Sequence, residues 1–141
     1  MTVNCTGGIF LSKTTKRILL LLRTQIKTEN SWGIVGGKKE PSDLSPHDTL
    51  MREIKEEIGF VPDVIKTIPL EQYVSMDDRF FFTTYVIVVE NEFIPTLNNE
   101  HSGYCWVETN RLPKSLHNGV RNTLHSKVNQ IKINTILDCF T

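Results

Sequence analysis

Residues 36–60 read GGKKEPSDLSPHDTLMREIKEEIGF, and the rest of the chain is best understood outward from them. Ser45 stands as a helix N-cap, Pro46 occupies the first helical position and Asp48, three residues after Ser45, makes a variant of the capping box. Gly59 supplies the matching stop. Between these signals a helix is expected, with Leu50, Met51, Ile54 and Ile58 on one side and Glu53, Glu56 and Glu57 on another. One face should pack while the acidic one stays apart from it. Glutamates spaced i, i+3 and i+4 repel one another and destabilise a helix unless a positive charge sits among them. Hard divalent cations favour clustered carboxylate oxygens, and magnesium commonly bridges a few carboxylates to substrate phosphates. The double glycine, Gly36-Gly37, can bring backbone groups close to the same ion or phosphate because no side chain intervenes.

Upstream, residues 2–11 are rich in β-formers and contain Gly7-Gly8, which suggests a strand with a bulge or a close backbone approach, where a ligand phosphate or base could lie. Ile18 to Leu22 is a continuous apolar run of strand length, residues 24–31 form a polar loop, and residues 32–35 read as a short strand that ends where the glycines begin. Downstream, residues 64–74 and 79–90 are strand-like and joined by a Met76-Asp77-Asp78 turn, so they read as a hairpin. Residues 91–102 are polar and irregular apart from Phe93-Ile94, and residues 104–107 make one more short strand. From residue 118 to 140 the apolar spacing, including Val128 and Ile131, predicts a closing helix interrupted near Asn134-Thr135.

A chain of 141 residues fits one domain, residues 1–141. Sixteen basic side chains balance sixteen acidic ones, so no net field draws it to nucleic acid or to an anionic membrane. No apolar stretch approaches membrane-spanning length and no secretory signal is evident, so a cytoplasmic protein is expected. Cys5, Cys105 and Cys139 are too few and too far apart for a disulfide framework and read as free thiols in or near the core. The sequence leaves the oligomeric state open, a homodimer being one option.

An isolated acidic run is normally a solvated helix face. Here its context resembles the signature of the Nudix hydrolases (MutT-like), G-x5-E-x7-R-E-U-x-E-E-x-G-U with U a bulky apolar residue. Gly37 opens it, and Arg52, Glu53, Ile54, Glu56, Glu57, Gly59 and Phe60 fill its second half without a gap. Two features depart from the pattern. The glutamate six residues after the glycine is Asp43 here, and eight residues rather than seven separate it from Arg52. The resemblance implies an α/β fold, a mixed β-sheet sandwiched between α-helices (an α/β/α sandwich). It implies Mg2+ or Mn2+ held by Glu53, Glu56, Glu57 and the Gly36 carbonyl, with Arg52 paired to a carboxylate such as Asp43 or Glu56. Lys38 is a candidate for meeting a substrate phosphate.

Many members of the family take a further glutamate from a loop across the site, and Glu100 resembles that element. Glu53, Glu56 and Glu100 are the candidates for general base. His47, His101, His117 and His125 show no ligand spacing with one another and are assigned surface or capping roles. Asn118, at the start of the closing helix, lies where some relatives place a base-reading asparagine. Phe10, Trp32, Phe80, Phe82, Tyr104 and Trp106 are the aromatic candidates for stacking on a base, or else core.

The implied function is metal-dependent attack of water on a diphosphate bond in a nucleoside diphosphate linked to X, with a (d)NTP giving NMP and pyrophosphate as the leading substrate. Nucleotide-sugar (GDP-mannose-like) and ADP-ribose hydrolysis are the rivals. A nucleotide-binding sensor without turnover is the alternative of another class, and hydrolysis at RNA 5′ ends finds no basic groove.

Overall fold

The computed structural model describes residues 1–24 and 31–140. Most of the expected polar loop, residues 25–30, lies outside the described residues. In chain order the elements are β1 (Val3–Ser12), β2 (Arg17–Arg23), β3 (Trp32–Gly33), β4 (Val35–Lys38), α1 (Pro46–Ile58), β5 (Lys66–Val74), β6 (Phe80–Val89), β7 (His101–Glu108), α2 (Asn118–His125) and α3 (Lys127–Phe140).

The strands form one mixed sheet in which β1 is the hub. It runs parallel to β6 from Val3↔Phe80 to Ser12↔Val89, and antiparallel to β4 from Cys5↔Lys38 to Gly8↔Val35. At its far end it meets β2 at Leu11↔Ile18, and β2 in turn pairs with β3 and along its length with β7. The expected hairpin is present, β5 pairing antiparallel with β6, and Asp78 takes a left-handed conformation (φ 56°) in its turn.

Strand side chains alternate between faces, so a continuous apolar run means that both faces are covered. Ile9, Leu11, Ile18, Leu20, Val86 and Val88 point to one face and pack with Val120 and Leu124 of α2 and Ile133 and Ile136 of α3. Phe10, Leu19, Leu21, Ile87 and Val89 point to the other and pack with Leu50, Ile54 and Ile58 of α1. The result is the α/β/α sandwich expected from the sequence.

Several expectations are corrected. Gly36-Gly37 does not end a strand; both glycines lie within β4, paired with Gly7 and Thr6 of β1. Gly7-Gly8 makes no bulge and no open ligand platform, because a Cβ at Gly7 would meet Ile34 and Phe82 and one at Gly8 would meet Ile87 and Leu50, but the close backbone approach offered as the other option is present, against Gly36 of β4. The closing helix breaks at Ser126, not at Asn134-Thr135. Ser126 is extended, and its hydroxyl accepts from the Asn129 amide at 3.3 Å, capping α3. That break resets the helical phase, so Val128 and Ile131 face outward while Asn129, Ile133 and Ile136 face in. Asn129 tolerates burial because its amide donates to Glu71 (2.8 Å) and to the Thr123 carbonyl (3.1 Å). All three cysteines are free, but Cys139 is exposed rather than near the core. Among the described residues no helix is long and apolar enough to cross a membrane.

The closest backbone approach in the sheet is at Gly36, where an added Cβ would collide with the Thr6 carbonyl oxygen and stand 2.8 Å from Gly7 Cα. Gly36→Ala is therefore expected to lower stability at the upper end of about 1–3 kcal/mol. Gly119→Ala, on an exposed turn of α2 with no neighbour nearer than 3.8 Å, should raise it by about 0.5–1 kcal/mol. Denaturant unfolding of the two variants checks both signs.

Candidate active site

The capping signals place α1 as expected. Ser45 Oγ accepts from the Asp48 amide at 3.2 Å, and Asp48 Oδ2 accepts from the Leu44 amide at 2.9 Å. Gly59 closes the helix at φ 88°. Its apolar side is driven into the core, and this rotates the acidic side onto β4. The expectation of a packed face and a separate acidic face is thus corrected. Glu53 and Glu57 are 8 % and 3 % exposed, and the half-buried Met51 sits at the margin. Only the Glu56 side chain, at 51 %, reaches solvent freely.

Each glycine of β4 makes room for one carboxylate or strand. Glu57 Oε1 accepts from the Gly36 amide at 2.8 Å. The Glu53 carboxylate lies where a Cβ on Gly37 would stand. Burial pushes the Glu57 carboxyl up to about 8; the Gly36 amide opposes this, while Glu53 and Glu100 reinforce it. Glu53 is raised too, mainly by burial, with the Arg52 hydrogen bond acting in the other direction.

Glu100 reaches this cluster from residues 91–100, which lack regular structure but are held at several points, among them Glu92 by Arg17 and the Glu100 and Asn99 carbonyls by the Thr24 amide and hydroxyl at 3.0 and 2.8 Å. Phe93 sits edge-on to Phe10, Phe60 and Trp106, with centroids 5.1–5.6 Å apart, and its carbonyl accepts from Trp106 Nε1. The Thr96 amide donates to the Ile58 carbonyl at 2.8 Å. Asn98 bridges: its Nδ2 donates to the Glu56 carbonyl at 2.9 Å, and its Oδ1 accepts from the Glu100 amide at 3.0 Å. Sequence reasoning missed Asn98, for which the only signal was the Asn98-Asn99 pair beside Glu100.

His101 overturns its assignment to the surface. It is 6 % exposed, with Nδ1 3.6 Å from Glu57 Oε2. Burial, with Arg23 nearby, lowers its pKa to about 4, so the ring is neutral and the contact is no ion pair. Glu57, Glu100 and His101 each bring one donor atom to within 4.8 Å of the others. The remaining histidines fit the expectation more closely. His47 and His125 are exposed, while His117 is the half-buried N-cap of α2 and makes no side-chain capping bond.

Arg52 organises the segment before the helix. Its Nε and Nη2 grip Asp43 at 3.2 and 2.9 Å, Nη2 also donates to the Lys38 carbonyl at 2.9 Å, and Nη1 donates to Glu53 at 3.0 Å. Glu40 and Glu56 stand 3.4 and 3.5 Å away. Asp43 is 5 % exposed and accepts in addition from the Glu40 amide and the Thr49 hydroxyl. The extra residue, which falls between Asp43 and Arg52, does not undo this pairing, and the shorter acid still reaches the guanidinium.

Other candidates are less engaged. Lys38 is exposed at the end of β4, and only its carbonyl joins the network. Asn118 is exposed at the start of α2, tied to β3 through the His117 amide and the Trp32 carbonyl rather than to the carboxylates. Phe10 is sealed in the core and is not a stacking surface. Trp106 packs on Phe93, whereas Trp32, Phe80 and Phe82 are half-buried and Tyr104 is partly open. Arg23, which sequence reasoning passed over, contributes positive charge beside Glu57 and His101. A cleft of about 200 Å3 lined by Asn4, Thr6, Lys39, Ser45, Thr49 and Thr83 contains none of the carboxylates, so concavity alone does not mark the site.

A family model described as the NUDIX domain matches residues 4–126. The chain belongs to the Nudix hydrolases. Solved Nudix relatives share the fold at low identity. A MutT protein from Methanosarcina mazei Go1 is 18 % identical with TM-score 0.71, over 93 % of this chain and 95 % of that one. An Ap4A hydrolase from C. elegans is 15 % identical with TM-score 0.63, over 96 % of each. A MutT/nudix family protein from Enterococcus faecalis is 20 % identical with TM-score 0.64 over 75 % of this chain, which spans 43 % of its length. No curated protein matches the sequence.

The donor set of this Nudix domain fits a divalent cation. Two buried carboxylates share their surroundings with Glu100, and His101 Nδ1 is buried without a hydrogen-bond partner. A cation there would offset both costs.

The Arg52 guanidinium beside Asp43, helped by the Glu40 amide, holds the Asp43 carboxyl below the usual carboxylate range. A depressed folded-state pKa contributes stability above the unfolded value of about 3.9 and loses it as pH falls toward the folded value. Asp43→Asn should therefore melt well below the parent at pH 7, and the gap should narrow below about pH 4. Thermal melts of both proteins across pH 3–7 check this.

Proposed function

We propose that this Nudix hydrolase catalyses attack of water on a diphosphate bond of a nucleotide substrate, with a (d)NTP the first choice, giving NMP and pyrophosphate. The observation that carries the reading is the convergence of Glu53 and Glu57 of α1 with Glu100 beside the backbone of Gly36-Gly37. A diphosphate would add negative charge to a cluster that is already acidic, so a cation is needed between them. Glu53, Glu56, Glu57 and the Gly36 carbonyl would hold Mg2+ or Mn2+, with Glu100 opposite. Such an ion neutralises charge on the phosphates and makes bound water more acidic.

The chain's own groups then have separable tasks. Arg52 does not touch substrate; it fixes Glu53 and the turn at residues 40–43. Among the three candidate bases Glu53 is buried, whereas Glu56 and Glu100 are both exposed, and Glu56 is tied only by a 3.5 Å contact to Arg52. Lys38, on the exposed end of β4, is available to a phosphate, and Asn118 to a base. The setting proposed is cytoplasmic, in keeping with three free thiols.

ADP-ribose, dinucleoside polyphosphates and nucleotide sugars contain the same bond and differ in X. Among solved structures of the same fold are an Ap4A hydrolase and a Nudix domain of Shewanella oneidensis NrtR complexed with ADP ribose. A sensor without turnover is disfavoured, because binding alone gives no reason to bury two mutually repelling glutamates.

The test is a release assay over dNTPs, ADP-ribose, Ap4A and GDP-mannose in Mg2+ or Mn2+ with products identified. Pyrophosphate from a dNTP supports the first choice, and a silent panel sinks the hydrolase reading for these substrates. Glu56→Gln should lower kcat by roughly 10²–10⁴-fold, and unchanged turnover removes Glu56 as base. Asn98→Ala, which removes one of the ties between the Glu100 loop and α1, should weaken Mn2+ binding while leaving the melting temperature nearly intact, as calorimetry would show.

A further inference from the structure

His101 opens β7, and its environment is unusual for a structural histidine. Such a residue, once buried, normally spends its ring nitrogens in hydrogen bonds. Here the buried Nδ1 has no hydrogen-bond partner, although Glu57 Oε2 faces it at 3.6 Å. That separation is too long for a shared proton. It is suited to a shared cation: two donors each about 2.1 Å from an ion stand about 3.0 Å apart at a right angle and about 4.2 Å apart when opposed.

The surrounding backbone aims the ring at this point. β2 and β7 run in register from Arg17↔Glu108 to Leu22↔Gly103, and the ladder then shifts so that Arg23 meets His101. Such an irregularity turns a side chain out of its regular alternation. On the other side, Glu57 Oε1 is occupied by the Gly36 amide, which leaves Oε2 as the oxygen facing His101. Glu100, adjacent in sequence, completes a trio whose donor atoms lie within 4.8 Å of one another.

We infer that His101 Nδ1 joins Glu57 and Glu100 as a nitrogen ligand of one divalent-cation position, which thereby favours Mn2+ or Co2+ over Mg2+. This deepens the proposed hydrolase site and rests on that reading. Carboxylate oxygens alone suit Mg2+, whereas imidazole raises affinity for transition ions in the Irving–Williams order.

Pulsed EPR of Mn2+ bound to the full chain reads the coordination directly. Nitrogen coupling to manganese is expected, changing from the 14N to the 15N pattern when the protein is made with 15N-histidine. It should vanish in His101→Gln and His101→Asn and persist when His47, His117 and His125 are replaced together. In the same variants Co2+ affinity should fall on the order of 10–100-fold, with Mg2+ affinity little changed. If Mn2+ binds and hydrolysis proceeds but no histidine coupling appears, His101 is not a ligand and the hydrolase reading stands. Coupling that disappears with the other three histidines overturns the inference as well, and absence of Mn2+ binding removes it together with the metal site. The isotope comparison uses the unmodified sequence, so its outcome does not depend on a variant folding.

Discussion

The hydrogen bond from the Gly36 amide to the Glu57 carboxylate joins the acidic helix to the sheet, and the rest of the site is arranged around its cost. The bond holds a carboxylate almost wholly out of water, next to Glu53 and within the field of Glu100. One backbone donor does not compensate for that. The compensation is mechanical: Leu50, Ile54 and Ile58 leave water on the opposite side of the same helix, each worth about 1.5–3 kcal/mol. Packing fixes the helix where its acids would not settle by themselves. An arrangement held against its own repulsion is one that a cation stabilises, which links the fold to the chemistry.

Arg52 solves a second problem, the attachment of the chain between β4 and α1. Its guanidinium binds Asp43 through two nitrogens, the Lys38 carbonyl and Glu53 at once. A planar fork can do this where a lysine ammonium cannot. The inserted residue lies between Asp43 and Arg52, where the Leu44 amide donates to Asp48 and the Ser45 hydroxyl caps α1, while the Glu40 amide holds Asp43 from the other side. The departure from the family pattern lengthens the stretch between Asp43 and Arg52 without breaking the pairing at its ends.

How much was legible in the sequence follows from how each residue is positioned. The limits of α1 were legible because Ser45, Pro46 and Gly59 act locally, and the sandwich was legible because runs such as Ile18 to Leu22 need two covered faces. The β4 glycines were misjudged because glycine usually breaks strands; here its missing Cβ is what lets β4 lie against β1 and Glu53. The break at Ser126 was hidden because its hydroxyl is a cap only when the backbone is extended, and the apolar spacing on either side reads as nearly continuous. His101 was assigned to the surface because no other histidine lies at ligand spacing from it. Its neighbours are a helix acid forty-four positions upstream and the residue before it, a grouping that only the tertiary fold creates.

The carboxylates differ in how firmly they are placed. Glu53 and Glu57 move only if α1 moves, and α1 is locked by its caps and its core. Glu100 is placed by an aromatic contact at Phe93, one backbone bond at Thr96 and the Asn98 bridge to the end of α1. The Thr24 amide and hydroxyl add bonds of 3.0 and 2.8 Å to the Glu100 and Asn99 carbonyls, and Arg17 pairs with Glu92, so this segment without internal periodicity is tied both to α1 and to β2 and the residue after it. His101 follows Glu100 directly but already belongs to β7, whose pairing with β2 is extensive. The trio therefore combines a donor fixed by the helix, one fixed by the sheet and one carried on the tethered loop between them. Ions of different size and hardness demand different spacings, and in the site proposed above all three donors are held by contacts made elsewhere in the fold. In that proposal the spacing offered to an ion is set by the tethers at Asn98, Thr96 and Thr24 as much as by the identity of the ligands.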